Sequence, residues 1–368
     1  MSCISLEPTG QLPVPFNMNS NGGPLIVRAD ANVAIGMGHV MRCIALAQAW
    51  QDSGGSVTFV MAGDSESIES RLLKEKISVL NIESNPGSLD DAIELVGFAG
   101  RPGVAWIVID GYHFCTEYQR EIKKAGMKLL CLDDYGHCKH YFADIVLNQN
   151  VNANERTYKK REPYTRLLLG TRYALLRREF IEYRDWKRRI PAQAKNILVT
   201  MGGSDTDNVT ARVLGALECI QDVRFEVVVA VGGSNSHFSS LIAQAKGMAH
   251  SVQIKKDVQD MPALMAWADL AIAAGGSTCW EIAYMDLPAV LIVLADNQRE
   301  IASGLGEAGF AVDLGWHENV VAKDIETAVN NLIMDIEKRR RISKMGREIV
   351  DSLGSGRVVE LLMSAIKE

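Results

Sequence analysis

His39 stands in "VRADANVAIGMGHVMRCIALAQAW", residues 27–50, where an apolar run gives way to Gly36 and Gly38 and then to a helical pattern. In the first turn of a helix the dipole disfavours an imidazolium. A ring kept neutral near pH 7 can accept a proton as general base. Arg42, three residues on, shares the adjacent face and can orient a carboxylate or phosphate. The spacing alone leaves open the alternative that His39 only packs at a helix start.

Two more glycine turns repeat the arrangement, "TMGGSD" at 200–205 and "AAGGST" at 273–278. Glycines let a ligand approach the backbone, and the helix that follows offers free N–H groups to an anion. Gly203, Ser204, Gly276, Ser277 and Thr278 are the candidate contacts, with Gly38 and Arg42 from the first turn. None of the three is a dinucleotide fingerprint or a P-loop. Tight turns without a ligand remain the alternative for each. Glu281 lies one helical turn beyond Ser277 and Thr278, where a carboxylate can accept both hydroxyls of a ribose. Asn297 and Gln298 follow the apolar run "AVLIVLAD" and can contact a sugar, or simply begin a helix.

Such turns need strands before them and helices after. Apolar runs recur from residue 24: "LIVRAD", "SVTFVMAG", "WIVIDG", "KLLCLDD", "DIVLNQN" and "RLLLG", then "NILVTMGG", "FEVVVAVGG", "SVQIKK", "LAIAAGG", "AVLIVLAD" and "FAVDLG". Runs of Val, Ile and Leu without polar alternation predict parallel strands covered on both faces. The segments between them often have helical period. The fold class is therefore α/β, with two Rossmann-like doubly wound domains facing a central cleft. The charged stretch at 177–193 marks the boundary. It predicts an N-terminal domain over 24–185, carrying the histidine, and a C-terminal nucleotide-binding domain over 186–368. Residues 1–23, rich in Pro, Asn, Gly and Ser, are expected to form a flexible leader.

The chain has 368 residues, 47% hydrophobic and 23% charged, which is ordinary for a globular protein and long enough for two cores. The net charge is −6 and no basic stripe is present, so nucleic acid is not an expected partner. No run reaches the roughly 18 apolar residues that span a bilayer, so no membrane partner is expected either. Cys3, Cys43, Cys115, Cys131, Cys138, Cys219 and Cys279 are scattered and odd in number, as in reduced thiols rather than a disulfide framework. A soluble cytoplasmic monomer is expected. "CLDDYGHCKHYFAD", residues 131–144, holds metal-ligand residue types, but at no standard zinc spacing. Its reading is a cleft-facing strand end followed by a surface loop. "LNQN", at 147–150, ends a strand with amides that face the cleft or form a turn.

Together "RADANVAIGMGHVMRCIALA", "VTMGGSDTDN", "AAGGSTCWEIAYMDLPAVLIVLADNQ" and "GTRYALLRREF" resemble the UDP-2,4-diacetamido-2,4,6-trideoxy-β-L-altropyranose hydrolases of pseudaminic acid biosynthesis. They are more distantly similar to spore-coat polysaccharide proteins and MurG-type glycosyltransferases. The resemblance runs over roughly residues 24–350. It implies the two-domain GT-B fold and hydrolysis of a small-molecule UDP-sugar at its anomeric carbon, with no metal or other cofactor. The catalytic histidine then falls on His39, the ribose contact on Glu281 and the sugar and phosphate contacts on Asn297 and Gln298. Asp30, ending the first strand, helps position the sugar or His39. A transferase using an acceptor hydroxyl in place of water, and a non-catalytic UDP-sugar-binding protein, are the alternatives.

Overall fold

Twelve apolar runs form strands and β3 (Ser78–Ile82) adds a thirteenth among the described residues, and every pairing between them is parallel. The computed structural model describes residues 22–31, 36–63, 66–100 and 103–366. The leader expected over 1–23 lies outside them as far as residue 21, as do Ala34 and Ile35 of the first glycine turn.

The first domain runs β1 (Pro24–Ala29), α1 (Gly38–Asp52), β2 (Ser56–Ala62), α2 (Glu66–Lys74), β3 (Ser78–Ile82), α3 (Leu89–Ala99), β4 (Trp106–Asp110), α4 (Thr116–Lys124), β5 (Leu129–Leu132), β6 (Ile145–Asn148) and β7 (Arg166–Leu169). Its sheet has the order β3-β2-β1-β4-β5-β6-β7. Successive side chains of a strand serve opposite faces. Leu25, Val27, Trp106 and Val108 join one apolar cluster, and Ile26, Ile107 and Ile109 join the other. Burial on both sides is why β1 and β4 read as unbroken apolar runs. β3, an edge strand of half-exposed residues, gave no such run.

After α5 (Arg178–Ile181) the second domain runs β8 (Asn196–Thr200), α6 (Val209–Glu218), β9 (Glu226–Val231), α7 (Phe238–Lys246), β10 (Ser251–Lys256), α8 (Met261–Trp267), β11 (Leu270–Ala274), α9 (Thr278–Tyr284), β12 (Ala289–Val293), α10 (Arg299–Glu307), β13 (Ala311–Trp316), α11 (Ala322–Met334) and α12 (Ile336–Ile349). The sheet order is β10-β9-β8-β11-β12-β13. All six strands match the runs read from the sequence.

The domain limits differ from the expected ones at both ends. Leu175 belongs to the first domain's core, whereas Ala174, Leu176 and Phe180 belong to the second's. The chain thus crosses about ten residues before 185, because Phe180 dips its ring into the core from an otherwise charged stretch. The tail is not one helix of the second domain. It breaks after Val350, and α13 (Gly354–Ile366) returns to the first domain. There Val358, Val359 and Leu362 complete the core, and Trp106 Nε1 donates to the Leu362 carbonyl at 3.1 Å. The two crossings lie side by side: Ser355 Oγ donates to the Leu176 carbonyl at 3.3 Å and Arg184 Nε to Ser352 Oγ at 3.3 Å. No helix among the described residues is long and apolar enough to cross a membrane.

In both sheets the strand order reverses beside the first strand, between β1 and β4 and between β8 and β11. The carboxyl ends at such a switch point form a crevice. Here the two crevices face each other. A methyl at Gly203 would come 3.0 Å from Met37 Cγ, and one at Gly38 would come 3.5 Å from Ser277 Oγ.

Candidate functional site

A cleft of about 510 Å³ lies between the two switch points. His39 enters it from the first turn of α1, where it is 6% exposed. Its Nδ1 lies 2.6 Å from Oδ1 of Asp110, the last residue of β4. Arg42, one turn along α1, donates to the same carboxylate through Nε and Nη2, each at 2.6 Å. Burial alone would raise the pKa of Asp110, but Arg42 and His39 hold it well below the ordinary carboxylate range. An ionised Asp110 places the ring proton on Nδ1 and leaves the Nε2 lone pair free. Arg42 Nη2 also lies 3.3 Å from Nδ1. Both atoms then carry hydrogen, so this is a contact and not a bond.

The row continues into the next loops. Arg42 Nη1 donates to Asp134 Oδ1 at 2.7 Å, and Tyr112 OH donates to Asp134 Oδ2 at 2.5 Å. Burial and the Asp134 carboxylate push the Tyr112 phenol far up, so it stays protonated. Its ring meets His39 edge-on at 4.9 Å. The same hydroxyl accepts from Asn297 Nδ2 at 2.9 Å, joining the domains. Asp133 faces inward instead. Gly136 N and Tyr135 N donate to it at 2.7 and 2.8 Å, and Tyr141 OH donates to its other oxygen. Among the described residues no group of three or more His, Cys, Asp or Glu is placed to hold a metal.

The second domain supplies the opposite wall. Gly276, Ser277 and Thr278 line the cleft, and Ser277 makes no side-chain cap at the start of α9. Gln298 braces this turn: its Oε1 accepts from Leu294 N at 2.9 Å, and its Nε2 lies 3.8 Å from where a methyl at Gly276 would sit. Glu281 also lines the cleft. Burial raises its pKa against the pull of Arg177, whose Nε and Nη2 both donate to Glu281 Oε1, at 3.0 and 2.8 Å.

One sequence expectation lands elsewhere, and another holds for the turn but not for the helix that follows it. Asp30 is not among the cleft-lining residues. It is 3% exposed, paired with Arg28, within 3.1 Å of His113 Nε2 and accepting from Ala62 N at 2.7 Å. A carboxylate so engaged braces β1 rather than reaching a ligand. In the second glycine turn, Gly203 and Ser204 line the cleft. The start of α6 is no open anion site, however, because Asp205 accepts from Val209 N at 2.8 Å and Thr210 N at 3.0 Å. Asp110, Tyr112 and Arg177 were not singled out beforehand. For Asp110 a signal existed, a lone acid ending the apolar run "WIVID". Gln149 of "LNQN" lines the cleft, as one of its two readings has it.

Residues 196–352 match the glycosyltransferase family 28 C-terminal domain. The chain is 24% identical over 351 residues to the spore coat polysaccharide biosynthesis protein SpsG of Bacillus subtilis, covering 92% of this chain and 98% of that protein. It is 24% identical over 292 residues to the UDP-2,4-diacetamido-2,4,6-trideoxy-β-L-altropyranose hydrolase of Campylobacter jejuni, covering 78% and 98%. An uncharacterized protein of Methanocaldococcus jannaschii, MJ1062, is 27% identical over 282 residues, which are 75% of this chain but only 57% of that longer protein. Among solved structures, MurG of Acinetobacter baumannii superimposes with a TM-score of 0.63 at 16% identity, over 93% of this chain and 99% of the other. The chain thus has the two-domain fold of MurG along its length, and its second half is similar to the family 28 C-terminal domain.

Proposed function

We propose that this protein is a UDP-sugar hydrolase that cleaves at the anomeric carbon without a metal and uses His39 as general base. The observation that carries the reading is the Asp110–His39 pair, aimed into the cleft opposite the turn at 275–281. Asp110 fixes the tautomer, and His39 Nε2 takes a proton from water. The water oxygen bonds to the anomeric carbon while the bond from that carbon to the phosphate oxygen breaks, and UDP leaves with the electron pair. Gly276, Ser277 and Thr278 receive the pyrophosphate, where backbone donors stabilise the leaving charge. Glu281 accepts from the ribose. Gly38, Arg42, Asn297 and Gln298 shape the sugar and phosphate site, with Gly203 and Ser204 on the nucleotide side.

The Campylobacter relative's name, with 98% of its length matched, supports UDP-2,4-diacetamido-2,4,6-trideoxy-β-L-altropyranose as substrate and the free 2,4-diacetamido-2,4,6-trideoxy-L-altrose as product. The second reading is a transferase with an alcohol in place of water, favoured by the likeness to MurG. The deciding measurement is UDP release from that UDP-sugar in EDTA, with the sugar product followed by NMR and no acceptor present. Metal-independent turnover that is lost in His39→Ala supports the hydrolase. Tight UDP binding without turnover points to the transferase.

A further inference from the structure

Arg177 lies where the chain first crosses between domains, and it is 3% exposed. All three arms of its guanidinium are engaged. Nε and Nη2 converge on Glu281 Oε1, and Nη1 donates to Glu179 Oε1 at 2.6 Å. Its plane sits over the fully buried Phe180 ring, 5.1 Å from the centroid. Glu179 Oε1 also accepts from Arg71 Nη2, on α2 of the first domain, at 2.8 Å. Arg71, Glu179, Arg177 and Glu281 thus form a row of alternating charge from the first domain to the second. Three of the four line the cleft.

Both Arg177 bonds fall on a single oxygen of Glu281. Among the described residues Oε2 accepts no hydrogen bond. A carboxyl buried at the cleft wall drifts toward its neutral form, which is a poorer acceptor. A fixed guanidinium opposes that drift and, by occupying one oxygen, leaves the second free of Arg177. Lysine cannot reproduce this, because it offers a point charge and no planar fork.

We propose that Arg177 is a positioning residue for nucleotide recognition: it holds Glu281 with Oε2 presented to the ribose hydroxyls, so that ribose selectivity depends on Arg177 without contact. The inference rests on Glu281 being the ribose contact of the proposed UDP site.

The test is calorimetric titration with UDP and with 2′-deoxy-UDP, comparing wild type with Arg177→Gln, Arg177→Lys, Glu281→Gln and the Arg177→Gln/Glu281→Gln double variant. Wild type is expected to prefer UDP by on the order of 10-fold, the value of one hydrogen bond to a charged group. That ratio falls to about one in Arg177→Gln and in Glu281→Gln, with no further fall in the double variant. Arg177→Lys, which keeps the charge, also lowers it. If Arg177→Gln does not fold, the lysine variant carries the test. A variant that weakens both nucleotides equally and keeps the ratio overturns the inference. So does wild type that binds UDP without preference, which leaves the UDP site standing. Wild type that binds no UDP removes both.

Discussion

Asp110 Oδ1 lies 2.6 Å from His39 Nδ1, joining the end of β4 to the first turn of α1 inside a carboxylate site already neutralised by Arg42. The pair therefore settles which nitrogen faces the cleft, the feature on which the proposed general-base role of His39 rests.

Asp110→Asn keeps the shape and removes the charge. It is expected to lower kcat by about 10²- to 10⁴-fold, the usual worth of a general base, with KM little changed. Steady-state UDP release checks this. A rise in KM of comparable size with kcat unchanged would assign Asp110 to ground-state binding.

Gly38→Ala separates binding from stability. Among the described residues a methyl there meets only Ser277 Oγ within 4 Å, at 3.5 Å, in the space between the two turns. Alanine also favours the helix by up to about 1 kcal/mol. The expected outcome is an unchanged or raised Tm with at least ~10-fold weaker substrate binding. Unchanged binding would place the pyrophosphate elsewhere.

Acid stability follows from Asp133. Burial would raise its pKa, but His137, Tyr141 and the Gly136 amide hold it down at about 2, from an ordinary value of 3.8. A depressed carboxylate contributes stability that is present above the unfolded value and lost as pH falls through the folded one. The contribution is about 2 kcal/mol near neutrality. The Tm advantage of wild type over Asp133→Asn should therefore shrink as pH falls from about 4 to about 2. An advantage constant across that window would show that the charge is not its source.

Leu362→Ala tests the return of α13. The side chain is fully buried in the first domain's core. The expected loss is about 2–5 kcal/mol, seen in chemical denaturation. A loss confined to the second domain's transition would contradict the packing.

Much of this was legible in the sequence. Strands such as "WIVID" and "LAIAA" announce themselves because both faces are buried, and the glycine turns because the chain must reverse sharply toward the cleft. β3 did not, since half-exposed "SVLNI" carries neither a continuous apolar run nor a helical period. His39 and Glu281 were readable because their spacing from a glycine turn is local. Arg177 and Glu281 are 104 residues apart, and no local pattern encodes their meeting. The same holds for α13, whose apolar face reads equally well for either domain. Its break, "DSLGSG", was the available sign that the tail changes direction.

That returning helix also bears on synthesis. Val358, Val359 and Leu362 are made long after Leu25 and Val27, with the whole second domain between, yet they close the core that those two begin. Until α13 has been made, the first domain carries an uncovered apolar face beside Trp106. Domains generally fold as units and in order from the N-terminus. Here the first domain waits for α13, so its core cannot close before the second domain has been made.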